Sequence, residues 1–267
     1  MNLQEHSFSV FQLELKTKET DHPMGTGTGF CISFKKKKYL VTNYHIASGL
    51  LPGTTKTLHQ SGAIPGNFAF DCTLTKQISE TEFKHKGFRI ESSFYDENDD
   101  KIWIEHPTMG NECDIVVIEL NKILNSKLPD EFEIRPISIE RAEGYQAKIN
   151  VMDTVFITGY PLPKNQTLTK FPIYKFGRVA SEPDDVQNGN RFYIDSKTKP
   201  GMSGSPIIQK EEGEFVKNGR NYQFRKGRLN FIGIYSGRAE IRKDEYEAEL
   251  GIIWPYKKYL MPILESI

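Results

Sequence analysis

Residues 25–49 read GTGTGFCISFKKKKYLVTNYHIASG, and this stretch carries most of the information on the fold. Apolar and polar residues alternate over Thr28–Phe34 and Lys38–Thr42, as they do in half-buried β-strands. The lysines of Lys35–Lys38 fit the exposed tip of a hairpin between these strands. A histidine, His45, follows the second strand closely. The stretch therefore predicts an antiparallel strand pair that places an imidazole just beyond its end.

The rest of the chain shows a similar pattern of short apolar runs separated by glycine, proline, asparagine and aspartate. Many short strands at regular spacing favour a sandwich or a barrel. Helical periodicity is clear only in the tail, over Pro255–Glu265. We therefore predict an all-β fold with a C-terminal helix. Further candidate strands are Phe8–Leu15, Phe88–Tyr95, Lys101–Glu105, Ile115–Leu120, Thr154–Thr158, Tyr174–Val179, Arg191–Ile194, Pro206–Ile208, Asn230–Tyr235 and Leu250–Ile253.

The composition excludes several functional classes. Of 267 residues, 37% are hydrophobic and 12% aromatic, which is enough for a substantial core. Lysine and arginine number 35, as do aspartate and glutamate, and this zero balance argues against a nucleic-acid binder. No apolar run approaches the roughly 18 residues that a membrane span needs. We therefore expect neither nucleic-acid nor membrane partners.

The cysteines and the N-terminal sequence bear on the compartment. Cys31, Cys72 and Cys113 are odd in number and lack CxxC spacing, so they predict neither a disulfide framework nor a zinc site. The first residues lack the basic and apolar regions of a secretory signal. We expect a cytoplasmic protein. A polar segment at Glu140–Asp153 separates two groups of strands, and we predict domains at residues 1–145 and 146–267.

Three motifs combine residue types that suit nucleophilic catalysis. They are TNYHIASG with His45, ECDIVVIEL with Asp114, and KPGMSGSPII with Ser203. A serine hydroxyl is a poor nucleophile until a base such as histidine takes its proton, and a buried carboxylate orients that base. Of the aspartates between His45 and Ser203, only Asp114 directly precedes a long apolar strand. It is therefore the best candidate for the carboxylate.

Glycines around the serine suit the same chemistry. Gly201 allows a turn in which its amide and that of Ser203 point to one spot, where they could stabilise an oxyanion. We expect Gly204 to keep the other side clear for substrate. Each motif alone is common, and a turn serine or a capping aspartate is the ordinary alternative. All three in this order, each beside a strand, form a specific signal.

These motifs resemble those of the trypsin-like, chymotrypsin-fold serine peptidases, and bacterial trypsin-like peptidase domains most of all. GTGTGF, YLVTNYHIASG, CDIVVIEL and PGMSGSPII carry the resemblance, with histidine, aspartate and serine in the family's order. It implies two six-stranded antiparallel β-barrels with the three residues in the cleft between them. It also implies a serine endopeptidase that acts on protein or peptide substrates through a His45–Asp114–Ser203 triad and an acyl-enzyme, without metal or cofactor.

By the same resemblance, the substrate-binding residues would be Lys197, Ser236, Gly237 and Arg238. No acidic residue occupies the expected base of the primary pocket, so a preference for lysine or arginine is not supported. The cations at Lys197, Lys199 and Arg238 could instead form a pocket for acidic side chains. Solvated loop charges are the simpler interpretation, and we favour it.

Regulation and biological role are less determined. The digestive branch of the family has an aspartate before the nucleophile, whereas this chain has Met202, so activation by N-terminal trimming is not supported. An activating protein partner that arranges the Gly201–Ser203 loop would fit a regulated bacterial defence or stress protease inside the cell. The alternative from another class is a catalytically silent peptidase-like module that only binds peptides.

Overall fold

The structure is a computed structural model that describes residues 5–80, 82–124, 128–139, 148–162, 168–187, 189–211, 214–217, 220–223, 228–238 and 249–267. Its helices are α1 (Tyr44–Ser48), α2 (Leu120–Ile123) and α3 (Tyr256–Glu265), after a short 3₁₀ helix at Glu5–Phe8. Its strands are β1 (Val10–Thr17), β2 (Pro23–Phe34), β3 (Lys37–Thr42), β4 (Pro65–Gln77), β5 (Phe83–Ser93), β6 (Val116–Glu119), β7 (Ile137–Ser138), β8 (Thr154–Gly159), β9 (Ile173–Val179), β10 (Phe192–Asp195), β11 (Pro206–Glu211), β12 (Glu214–Lys217), β13 (Arg220–Gln223), β14 (Arg228–Arg238) and β15 (Leu250–Pro255).

The first half of the chain forms a seven-stranded sheet. Its strand order is β5-β4-β1-β2-β3-β6, and β7 pairs in parallel with β2. The predicted hairpin is present, because Phe34 pairs with Lys37 and the two lysines between them turn with φ of 47° and 65°. Two consecutive residues with positive φ match the right-handed twist of the flanking strands.

The predicted strand Lys101–Glu105 is reduced to isolated bridges. Tyr95 bridges to Lys101 and Ile104 bridges to Val117, so this segment connects the end of β5 to β6. The turn between Tyr95 and Lys101 is held by Asp96, whose carboxylate accepts backbone amides at 2.9 and 3.0 Å. Local turn bonds and two short bridges thus replace a continuous ladder here.

The second half forms a closed six-stranded barrel, as predicted. The strands follow the cyclic order β10-β15-β14-β11-β8-β9, and β12 pairs with β13 as a separate hairpin. Helix α3 follows β15 directly and confirms the helix predicted at the tail. The all-β chymotrypsin-like prediction is therefore confirmed, with a seven-stranded sheet in place of a six-stranded first barrel. The predicted boundary at residues 145 and 146 lies partly outside the described residues and stays a prediction.

A shared hydrophobic cluster joins the two halves. Phe30 of β2 is fully buried and its ring lies 5.4 Å from that of Phe231 in β14. Burial of one such aromatic side chain contributes about 1.5–3 kcal/mol. Polar contacts also cross the interface: Tyr160 donates its hydroxyl to the carbonyl of Val10 at 3.1 Å. Packing of this kind fixes the relative position of the strand ends that border the cleft.

Helices of the membrane-spanning kind, both long and apolar, do not occur in the described part of the chain.

Candidate active site

Pairing of β3 with β6 brings the first two predicted site residues together. Thr42 at the end of β3 pairs with Val116 at the start of β6, so the residues just beyond both ends are neighbours. Asn43 donates its side-chain amide to the backbone carbonyl of Asp114 at 2.7 Å. The ring of His45 lies within hydrogen-bond distance of the Asp114 carboxylate, with Nδ1 3.0 Å from Oδ1 and 2.8 Å from Oδ2.

The Asp114 carboxylate is buried and well satisfied. Its side chain is 2% exposed, and it accepts the backbone amide of His45 at 3.0 Å and the hydroxyl of Ser236 in addition to the ring contact. A buried carboxylate needs such donors, since an unpaired buried charge is costly. If Nδ1 of His45 donates to this carboxylate, Nε2 has its lone pair free to act as a base.

Ser203 lies in the turn before β11, next to Ser236. Its hydroxyl donates to the carbonyl oxygen of Ser236 at 3.2 Å. Ser236 thus touches both sides of the site, with its own hydroxyl on Asp114 and its carbonyl on Ser203. Within the described part of the chain, the Ser203 hydroxyl has no hydrogen bond with the His45 ring. Catalytic hydrogen bonds are often loose in a free enzyme, and rotation about χ1 moves a serine hydroxyl between staggered positions.

The turn around Ser203 presents two amides without an internal acceptor. Gly201 has φ of +94°, a conformation that favours glycine. The amide of Met202 donates to the carbonyl of Lys199 at 3.2 Å, and that of Ser205 donates to the carbonyl of Met202 at 3.0 Å. Among the described residues, the amides of Gly201 and Ser203 have no hydrogen-bond acceptor. Two such donors in one turn can receive an oxyanion.

Gly204 does not border the cleft in the expected way. A Cβ at this position would lie 2.0 Å from the carbonyl oxygen of Thr28 and 2.7 Å from Oγ1 of Thr42. Gly204 therefore lets β2 of the first sheet approach the turn that contains Ser203 closely, rather than keeping space for substrate. Its φ of +86° adds a second reason for glycine.

The predicted substrate-binding residues divide into two groups. Ser236 and Gly237 lie beside Ser203, and a Cβ at Gly237 would be 4.0 Å from the Ser203 hydroxyl oxygen. Arg238 follows them at the end of β14, where it pairs with Gly251 of β15.

Lys197 makes a surface ion pair instead. Its ammonium lies 2.7 Å from the Glu249 carboxylate, and both side chains are well exposed at 67% and 39%. The hydrogen bond from Lys197 lowers the pKa of Glu249, with smaller contributions from Arg238 and Lys199. An exposed, paired lysine agrees with the solvated-loop interpretation that we favoured over an acidic-substrate pocket.

Other aspartates between His45 and Ser203 have different partners. Asp71 pairs with Arg89 at 3.3 Å, and Asp99 pairs with Lys18 at 2.7 Å. The Asp96 carboxylate accepts the backbone amide of Asn98 in its own turn. The described part of the chain contains no group of three histidine, cysteine, aspartate or glutamate side chains arranged to hold a metal ion.

Two contributors were missed by sequence reasoning. Ser236 was expected only to bind substrate, but its side chain completes the Asp114 hydrogen bonds. Thr28 was interpreted only as part of a glycine-rich strand, yet its side chain contacts Gly201 in the turn that contains Ser203. The polar residue within an otherwise apolar and glycine stretch, GTGTGF, was the available signal for Thr28.

A family model described as the trypsin-like peptidase domain matches residues 27–216, which include His45, Asp114 and Ser203. The chain belongs to the trypsin-like peptidase domain family. As a member of this family, it is a serine endopeptidase by class. A search of curated protein sequences gives no significant match.

Solved structures resemble this trypsin-like domain at low sequence identity. A serine endoprotease from Yersinia pestis is 12% identical with a TM-score of 0.52, covering 100% of this chain and 67% of that one. A protease from M. tuberculosis in its active form is 16% identical with a TM-score of 0.46, covering 97% and 82%. A thermostable serine protease from an extremophilic microorganism is 10% identical with a TM-score of 0.49, covering 98% of both chains. The Yersinia likeness supports the fold.

Proposed function

We propose that this trypsin-like domain hydrolyses peptide bonds through a triad of His45, Asp114 and Ser203. The observation that carries the proposal is the buried Asp114 carboxylate, which lies 2.8 Å from Nδ1 of His45 and is linked through Ser236 to the Ser203 hydroxyl. An imidazole oriented by a carboxylate, beside a serine in a turn with two unpaired amides, suits acyl transfer.

In the proposed reaction, the Ser203 hydroxyl oxygen attacks the scissile carbonyl carbon while Nε2 of His45 takes the hydroxyl proton. Asp114 stabilises the imidazolium that forms. The tetrahedral intermediate collapses when its C–N bond breaks and His45 gives the proton to the leaving amine. An acyl-enzyme remains on Ser203. Water then attacks the ester with His45 again as base, and the products are a carboxylic acid and the free serine.

The amides of Gly201 and Ser203 would hold the oxyanion of both tetrahedral intermediates. Loss of one such donor in comparable enzymes costs about 2.7–4 kcal/mol. The backbone of Ser236, Gly237 and Arg238 would pair with the substrate as an added strand, because this segment ends β14 next to the nucleophile. Main-chain pairing would give affinity for extended peptides of varied sequence.

One observation favours a second candidate function. The Ser203 hydroxyl donates to the Ser236 carbonyl, and this arrangement does not activate it as a nucleophile. A peptidase-like module that holds a peptide in the cleft without cleaving it would keep this geometry. The two functions differ in whether Ser203 reacts.

The test is covalent labelling with a fluorophosphonate, in which the Ser203 oxygen displaces fluoride from phosphorus. We expect the wild-type protein to take up one phosphonyl group and Ser203→Ala to take up none, with stability changed by less than ~1 kcal/mol. Ser205→Ala is the matched control, since Ser205 is a buried serine two residues along the same turn, and it should label normally. Wild-type protein that fails to label, alone and with cell extract, would support the binding module.

We further propose a cytoplasmic, bacterial setting with a protein activator, in which the enzyme acts in defence or stress. Support comes from three free and buried cysteines, which suit a reducing compartment, and from Met202 in the place of the zymogen aspartate. Peptide cleavage that rises when extract of the host cell is added would support an activator. Full activity of the purified protein, unchanged by extract, would contradict it.

A further inference from the structure

Thr28 lies at the point where the first sheet meets the nucleophile turn of the second barrel. It is a fully buried residue of β2. Its backbone amide donates to the carbonyl of Ser203 at 2.8 Å, and its hydroxyl donates to the carbonyl of Gly201 at 2.7 Å. The same hydroxyl accepts the amide of Tyr160 at 3.3 Å. One residue thus contacts both residues whose amides would form the oxyanion hole, Gly201 through its side chain and Ser203 through its backbone amide.

We propose that Thr28 is a positioning residue that sets the direction of the Gly201 and Ser203 amides across the barrel interface. The inference rests on the proposed function and assigns a part of its machinery. Glycine has wide backbone freedom, so the conformation of Gly201 at φ +94° has to be maintained by its contacts. The carbonyl of Gly201 belongs to the peptide group that follows the Gly201 amide. The hydrogen bond from Thr28 to this carbonyl fixes that peptide group and so limits rotation of the backbone at Gly201.

The side chain of Met202, on the opposite side of the turn, does not supply this control. Met202 is fully buried in the second-barrel core, where its thioether packs among apolar side chains. Such packing anchors the turn to the core but does not orient its peptide groups, because a thioether is only a weak hydrogen-bond acceptor. The carbonyls on either side of Met202, those of Gly201 and Ser203, are the two that Thr28 holds.

Thr28 is itself held in place. The hydroxyl of Thr42, also fully buried, donates to the carbonyl oxygen of Thr28 at 2.8 Å. The Thr28 hydroxyl uses its donor on Gly201 and an acceptor position on Tyr160, so its rotamer is determined from both sides. Valine has the same shape as threonine but can make neither bond. Serine can make both.

The test compares Thr28→Val, Thr28→Ser and Thr75→Val in fluorophosphonate labelling, with the maximal labelling rate and the half-saturating concentration measured separately. Thr75 is a buried threonine of β4 whose hydroxyl contacts His85 at 3.3 Å in the first sheet, so it controls for the loss of a buried hydroxyl. We expect Thr28→Val to lower the maximal rate about 10- to 100-fold with an unchanged half-saturating concentration, because donors aimed at the oxyanion act in the transition state. Thr28→Ser and Thr75→Val should stay within about threefold of wild type.

Several outcomes would overturn the inference. Equal rates for Thr28→Val and Thr75→Val would do so, as would equal losses in Thr28→Val and Thr28→Ser. If circular dichroism shows that Thr28→Val does not fold, Thr28→Ala against Thr28→Ser gives a second pair that differs only in the hydroxyl, and equal rates in that pair contradict the proposal. Wild-type protein that does not label contradicts the proposed function itself, which separates the two failures.

Discussion

Gly204→Ala tests how tightly the first sheet is fitted against the nucleophile turn. The added Cβ would lie 2.0 Å from the backbone oxygen of Thr28, where ordinary contact begins at 3.4 Å, so β2 and the turn that contains Gly204 have to separate by more than 1 Å. The residue also has φ of +86°, and alanine in the left-handed region costs about 1–2 kcal/mol. Because the contacted atom is a backbone oxygen, rotation of a side chain cannot relieve the clash.

The separation would also break hydrogen bonds. The Thr28 amide donates to the Ser203 carbonyl at 2.8 Å, and the Thr28 hydroxyl donates to the Gly201 carbonyl at 2.7 Å, so both bonds cross the contact. Each such bond contributes about 0.5–1.5 kcal/mol. Together with the backbone cost, we expect a loss of about 2–5 kcal/mol in the free energy of unfolding. Labelling of Ser203 by a fluorophosphonate should slow as well, because the turn carries the nucleophile.

Urea denaturation and labelling kinetics measure both effects, and two glycines serve as controls. Gly62 has φ of +78° with no atom within 4 Å of an added Cβ, so Gly62→Ala reports the backbone cost alone. Gly87 has open space and no positive φ, and Gly87→Ala should change stability by less than about 0.5 kcal/mol. The reasoning is refuted if Gly204→Ala is no less stable than Gly62→Ala and labels at the wild-type rate.

Three further predictions concern other groups. The hydroxyl of Thr158 is buried without a hydrogen-bond partner among the described residues, so Thr158→Val should keep or raise the melting temperature, and a clear drop would contradict this. Burial raises the pKa of the Cys31, Cys72 and Cys113 thiols to about 12, so they are protonated at pH 8. A thiol reagent should therefore modify none of these cysteines in the native protein and all three after unfolding. Rapid modification of any of them in the native protein would be inconsistent with their burial. Asp114→Asn should slow labelling about 10⁴-fold, because it favours the wrong histidine tautomer, and a loss below about tenfold would argue against the triad.

Local pattern was sufficient to predict the His45 and Asp114 pair. Both lie just beyond the ends of strands with clear apolar runs, and antiparallel pairing of neighbouring strands brings such ends together. The C-terminal helix was predictable for the same reason, because its periodicity is contained within a single short segment.

Features that depend on distant partners were not predictable. The family resemblance placed Lys197 in the substrate pocket. Its partner, Glu249, lies far along the chain, and no local signal indicates the ion pair. The strand expected at Lys101–Glu105 has the right residues, but the preceding turn and the short β6 leave it only single bridges. Thr28 makes its contact only where the first sheet meets the barrel, and a motif within the first sheet alone cannot show that contact.

The central claim is that Ser203 reacts while the amides of Gly201 and Ser203 receive the developing charge. A crystal structure of the protein after reaction with diisopropyl fluorophosphate tests it most directly. We expect a covalent bond from the Ser203 hydroxyl oxygen to phosphorus, with the phosphoryl oxygen about 2.7–3.1 Å from both amides. An adduct on a different side chain, or a phosphoryl oxygen directed away from the two amides, would contradict the account.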